Sequence, residues 1–164
     1  MRFMAMKVGD VLFLDTNVLL IATDRSRAGH TVAQKILIAG SSGTIHLAFS
    51  GQIIREYLVV ATRPLDVNGL AMSTADALRN VAAFRRRTLF FDETEAVSNQ
   101  LDDLVKLGNI AGKRIHDANV AATMIVHKIP ILISENGDDF SPFPDVSVLR
   151  IHDAFQSIAA LGLK

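Results

Sequence analysis

Four separated stretches of the chain set a carboxylate against apolar sequence. They are Val11-Leu12-Phe13-Leu14-Asp15, Ile53-Ile54-Arg55-Glu56, Ile115-His116-Asp117, and Ile131-Leu132-Ile133-Ser134 running into Asn136, Asp138 and Asp139. An ionised carboxylate beside a core is costly unless something cationic meets it. No one of the four has a Lys or Arg reserved for it at a fixed spacing, so the simplest common partner is a divalent metal ion that gathers them in space. The pattern implies a metal-dependent hydrolase. Cysteine is absent, so any metal must use oxygen or imidazole ligands. An oxygen-rich pocket without an obvious histidine triad selects Mg²⁺ or Mn²⁺ over Zn²⁺. Two such ions about 4 Å apart can activate a water on one side of a phosphodiester and stabilise the leaving oxygen on the other.

The elements that must position these acids follow from periodicity. Short β-rich apolar runs recur at Val11–Leu14, Ile45–Phe49, Thr88–Phe91, Ile129–Ile133 and Val146–Leu149. Helical spacing fills Thr31–Ala39, Gln52–Thr62, Thr74–Arg87, Glu93–Leu107 and Asp117–His127. Strand alternating with helix predicts an α/β fold, a three-layer α/β/α sandwich with a central, mostly parallel sheet. Gly40-Ser41-Ser42-Gly43 punctuates the first helix and second strand, Ser73-Thr74-Ala75-Asp76 reads as a helix start, and Arg63-Pro64 ends the Glu56 helix.

In such sheets ligands bind beyond the carboxyl ends of the strands. Asp15 ends the first strand there, although a helix cap leading into Thr16-Asn17-Val18 accounts for it equally well. Glu56 has Ile53, Val59 and Val60 as helical neighbours and is expected to face inward, the alternative being an exposed edge position. Asp117 is expected to open its helix, with Val120, Ala121 and Met124 on its face; an N-cap role and a metal role are compatible. In the turn Glu135-Asn136-Gly137-Asp138-Asp139-Phe140, Asp139 is favoured because the Phe140 ring can anchor the loop. Asn136 is a possible neutral oxygen ligand. His116 reads as a local hydrogen-bonding residue. The Arg85-Arg86-Arg87 run and Lys113-Arg114 can hold phosphates or simply be solvated helix ends.

The chain has 164 residues, expected to form one domain over 1–164. A hydrophobic fraction of 49% with 21% charged residues excludes disorder. No apolar run approaches a membrane span, and Met1 to Asp10 lacks the pattern of a signal peptide, so a cytoplasmic protein is expected. Lys plus Arg equals Asp plus Glu at 17 each, which removes the global basic excess of a non-specific nucleic-acid binder. An acidic site would itself cancel basic residues used elsewhere.

The assembled pattern resembles the PIN-domain family, the nuclease fold of VapC-type toxins in type II toxin–antitoxin pairs. The resemblance rests on Phe13-Leu14-Asp15-Thr16-Asn17-Val18-Leu19-Leu20, Glu56-Tyr57, Thr62-Arg63-Pro64 with Asn68-Gly69-Leu70, and Gly112-Lys113-Arg114-Ile115-His116-Asp117-Ala118. Leu132-Ile133-Ser134 with Asn136, Asp139-Phe140 and Phe143-Pro144 completes it. It implies a Mg²⁺- or Mn²⁺-dependent endoribonuclease that cleaves RNA, forms a homodimer, and is inhibited by a small antitoxin protein. It also implies that Asp15, Glu56 and Asp117 are the first three acids of the site. The fourth is Asp at the place of Asn136 in many members, and an acid before the Phe, as Asp139 is here, in others. Thr16 and Asn17 would support Asp15 or touch substrate, with His116 and Arg114 beside them.

Two other readings compete. A haloacid-dehalogenase-like phosphatase would use Asp15 as a nucleophile, but it wants a second Asp where Asn17 stands and leaves Glu56 and Asp117 unexplained. A PIN-fold RNA-processing nuclease or binding protein outside a toxin–antitoxin pair would keep the fold and change the context.

Overall fold

The computed structural model describes residues 5–162; Met1–Met4 and Leu163–Lys164 lie outside the described residues. Five strands form one sheet: β1 (Val11–Leu14), β2 (His46–Ser50), β3 (Thr88–Phe91), β4 (Ile131–Ile133) and β5 (Ser147–Leu149). Their order is β3-β2-β1-β4-β5, and every neighbouring pair is parallel. The expected mostly parallel sheet is therefore parallel throughout the described residues.

The helices are α1 (Thr16–Thr23), α2 (His30–Ala39), α3 (Gly51–Thr62), α4 (Thr74–Arg85), α5 (Glu95–Gly108), α6 (Arg114–Val126) and α7 (Ile151–Ala160). Helices α1 to α4 and α7 pack together as one layer, and α5 packs on α6 as the other. Right-handed crossovers dictate this. The chain moves outward from β1 to β3 with its helices on one face, then returns to β4 and must cross on the other. Covered on both faces, Leu12, Phe13, Leu14 and Leu132, Ile133 are wholly buried, which explains unbroken apolar runs in place of alternation.

Helices α1 and α7 had no separate place in the periodicity. Helix α1 begins directly at Thr16 after Asp15, with no loop, and its buried Val18, Leu19, Leu20 and Ile21 read as a continuous apolar run. Ser73 caps α4 as expected, accepting from the Asp76 amide at 3.0 Å. Helix α6 starts earlier than expected, at Arg114. Its N-cap position is Lys113 in helical conformation, after Gly112 at φ +63°, so Asp117 lies in the first turn and is no N-cap. The chain direction change at Gly112, with φ in the left-handed region, releases the three extra helical residues.

Candidate metal centre

Asp15 leaves the carboxyl end of β1 and caps α1, its Oδ1 accepting from the Thr16 amide at 2.7 Å. Its other oxygen accepts from the Ser134 hydroxyl at 2.6 Å and the Asn17 side-chain amide at 2.7 Å. Ser134 follows β4, so Asp15 is clamped between the two central strands, where the chain's winding direction reverses and α/β sheets open their binding crevice. Asn17 fastens the same junction by accepting from the Glu135 amide at 3.2 Å.

Glu56 reaches the site from α3. One oxygen accepts from the Thr16 hydroxyl and the other from the Gln52 side-chain amide, both at 2.7 Å. Glu56 is only partly buried, because its helical neighbour Val59 is exposed and Val60 half-buried; the expected inward stripe runs instead through Ile53, Ile54, Tyr57 and Ala61. Asp117 stands one turn into α6 above buried Val120, Ala121 and Met124. Asp139 comes from the turn after β4, which Phe140 anchors by burying its ring against Phe143.

Electrostatics tie the four acids together. Burial, together with the charges of Asp139, Asp15 and Glu56 and against that of His116, lifts Asp117 to a pKa of about 6. Burial also raises Asp15, against hydrogen bonds from Ser134 and Thr16, and Glu56 and Asp139 raise it further. Like charges close enough to perturb one another disfavour joint ionisation. None of the four joins an ion pair among the described residues. Partly buried Asp15, Glu56 and Asp117, with exposed Asp139 beside them and no Lys or Arg ion pair to any of the four among the described residues, fit a hard divalent cation. Among the described residues no three carboxylate or imidazole groups close a cage by themselves. Each of Asp15 and Glu56 is turned toward hydroxyl and amide donors.

Asp139 is itself exposed, as are the expected positions that follow. Asn136 and Asp138 are on the surface and bond through their backbones, the Asn136 amide donating to the Ser134 hydroxyl at 3.0 Å and the Asp138 carbonyl accepting from the Ser141 amide at 3.2 Å. Asp139 contributes to the shift of both Asp15 and Asp117. His116 and Arg114 are exposed on the first turn of α6, and the His116 carbonyl accepts from Gln52 at 2.9 Å. Arg85, Arg86 and Arg87 precede β3 at its amino end, away from the carboxylates.

Three polar residues behind the site were not anticipated. Gln52 is buried, and its side-chain oxygen accepts from Asn119 at 2.6 Å. Glu93 accepts from the Gln52 backbone amide at 2.5 Å, from Asn119 at 3.4 Å and from Arg55 at 3.3 Å. Burial works against the charge of Glu93, yet the Gln52 amide, the Ser50 hydroxyl and Arg55 outweigh it and hold its pKa below the ordinary value. Glu93 thereby satisfies the open N-terminus of α3, whose Ser50 makes no side-chain cap bond. Two signals pointed here. Gln52 lies four residues before Glu56 on one helical face, and Glu93 follows the carboxyl end of β3 as Asp15 follows β1.

A groove of about 600 Å³ opens beside Glu56, lined by Thr16, Gln52, Arg55, Ile115, His116 and Asn119 among others. Sheet order, the placement of Asp15 at the reversal of winding, and the mutual coupling of four acids define a parallel α/β domain with a carboxylate centre. The PIN domain model matches residues 12–146, and the chain belongs to the PIN domain family. This excludes the haloacid-dehalogenase-like alternative as its family.

Relatives fit that assignment. Ribonuclease VapC24 of Mycobacterium tuberculosis (strain CDC 1551 / Oshkosh) is 27% identical over 139 residues, 81% of this chain and 91% of the relative. VapBC2 from Rickettsia felis, solved bound to a DNA fragment from its promoter, superposes with a TM-score of 0.64 at 14% identity, covering 85% of this chain and 98% of that one. Mycobacterium tuberculosis VapC20, described as a sarcin-ricin loop cleaving toxin, gives 0.60 at 18% identity over 82% and 98%. At those identities the two solved structures bear on the fold.

Proposed function

We propose that the chain is a Mg²⁺- or Mn²⁺-dependent endoribonuclease and the toxin of a type II toxin–antitoxin pair, working as a single-domain, cytoplasmic homodimer restrained by a small antitoxin protein. The observation that carries the chemistry is the coupling of Asp15, Glu56, Asp117 and Asp139 without a cationic residue among them. The ribonuclease and toxin reading draws support from the likeness to VapC24 and the VapBC solved structures. No helix of the described residues is long and apolar enough to cross a membrane.

Asp15, Glu56 and Asp117 would hold the cation, with Asp139, or Asn136, completing the shell. When bound, the cation supplies activation of a water and neutralises charge building on the scissile phosphate. The chain supplies orientation. Ser134 and Asn17 hold Asp15, and Thr16 and Gln52 hold both oxygens of Glu56, which sets the direction in which each carboxylate is presented. His116 and Arg114, exposed on the first turn of α6, would meet phosphate oxygens.

The test is cleavage of total RNA by the purified chain with Mg²⁺ or Mn²⁺, with EDTA, and as Asp117→Asn. Cleavage that needs metal and disappears in the variant is expected. Cleavage indifferent to both EDTA and the substitution would sink the reading.

A further inference from the structure

We propose that the exposed row Arg85, Phe90 and Arg55 is a binding track for single-stranded RNA, with Phe90 stacking a base and the two guanidiniums holding the flanking phosphates. This rests on the ribonuclease reading above and adds where the substrate strand lies. Strand β3 is an edge of the sheet, and Phe90 on it is 43% exposed. Its ring stands edge-on to buried Phe49, with centroids 6.2 Å apart. The Arg85 guanidinium lies over the ring, 4.9 Å from its centre. An exposed cation–ring contact contributes about 0.5–1 kcal/mol. A stacked base contributes about 1–3 kcal/mol, so a base displaces the guanidinium from the ring and leaves it beside the strand's phosphates.

The row continues to the carboxylates through Gly51. A methyl group at Gly51 would lie 3.1 Å from the Arg55 guanidinium and 3.8 Å from the Phe90 ring, so glycine there lets arginine and ring sit side by side. Arg55 is largely exposed and spends one nitrogen on Glu93, which leaves other donors of its five for a phosphate. Arg55 and its neighbour Glu56 line the same groove, so a strand held by Arg55 is led toward the site.

Charge decides the kind of occupant. Four acids repel a polyanion, and 17 basic residues balance 17 acidic ones over the whole chain, so affinity for RNA must come from a local array. A ring flanked by two guanidiniums suits a phosphate strand. Aromatic and arginine side chains also favour protein interfaces, so a second copy is the competing occupant, and the light-scattering arm of the test separates the two.

The test uses the full chain as Asp117→Asn with Mg²⁺ and a fluorescein-labelled single-stranded RNA of mixed sequence, read by anisotropy. Phe90→Ala is expected to raise Kd about 5- to 100-fold, and Arg85→Ala to lower the magnitude of the salt slope by about 1. The chain contains no tryptophan, so Phe90→Trp installs a single reporter; it should bind as tightly as its parent and lose emission saturably as RNA is added. Parent binding with an unmoved Kd in Phe90→Ala and unquenched Phe90→Trp overturns the track while leaving the nuclease reading intact. A parent that binds no RNA overturns the track, and the cleavage assay on the unsubstituted chain then judges the nuclease reading separately. Loss of a dimer in Phe90→Ala by light scattering, with RNA binding unchanged, would assign the face to a second copy and overturn the proposal.

Discussion

Asp117 carries the sharpest consequences of any single residue. With its folded pKa near 6 against an ordinary value of 3.8, the folded chain binds more protons than the unfolded one between those values. Stability without divalent cation therefore falls as pH rises from about 4 to about 6. Asp15 is shifted the same way and adds to the slope. Thermal melts in EDTA should show the midpoint dropping across this window, and Asp117→Asn should flatten it; a midpoint that rises through the window in EDTA would contradict the coupled-acid picture. Mg²⁺ should raise the midpoint above pH 6, where the acids are ionised, and raise it much less near pH 4. That contrast separates cation binding by the carboxylates from a general salt effect.

Among the elements, α3 and α6 are joined behind the site by one amide. Gln52 donates to Glu56 and to the His116 carbonyl and accepts from Asn119, so it links α3 to the first turn of the helix bearing Asp117. Gln52→Leu keeps the volume and removes the donors, leaving Asn119 and the His116 carbonyl without that partner. A loss of about 1–3 kcal/mol is expected in urea unfolding, together with weaker Mg²⁺ binding by calorimetry. Unchanged metal affinity in a folded Gln52→Leu would show that Thr16 alone suffices to hold Glu56. At the far end of the sheet, a methyl group on Gly40 would come within 2.7 Å of the Leu47 side chain and 2.8 Å of the Arg87 carbonyl. Gly40→Ala should therefore lower the melting midpoint while leaving metal affinity unchanged, since it strains the α2–β2 junction at the edge opposite the carboxylates.

At the scale of the whole molecule, the expected assembly is a homodimer that captures a small antitoxin. Light scattering of the purified chain should give twice the chain mass, and co-expression with the product of an adjoining small gene should yield a complex with suppressed RNA cleavage. A monomer that cleaves RNA would retain the nuclease and remove the dimer. An adjoining gene product that neither binds nor inhibits would place the enzyme outside a toxin–antitoxin pair.

Much was legible in the chain itself. Five apolar runs foretold five strands because a sheet covered on both faces needs no polar alternation. Asp15, Glu56 and Asp117 stood out because carboxylates beside core sequence call for a partner, and the resemblance to PIN-domain proteins rested on those same residues. Tertiary structure alone decided the rest. Gln52, Asn119 and Glu93 lie far apart along the chain, so only folding reveals that they share one set of hydrogen bonds. That Asp139 senses both Asp15 and Asp117 is a matter of direction around a turn, which composition does not answer. The start of α6 depended on a left-handed Gly112, and the row of Arg85, Phe90 and Arg55 on an edge strand meeting a helix start. Local pattern records which residues a single element must bury; which polar groups meet across elements is set by packing, where distance along the chain no longer matters.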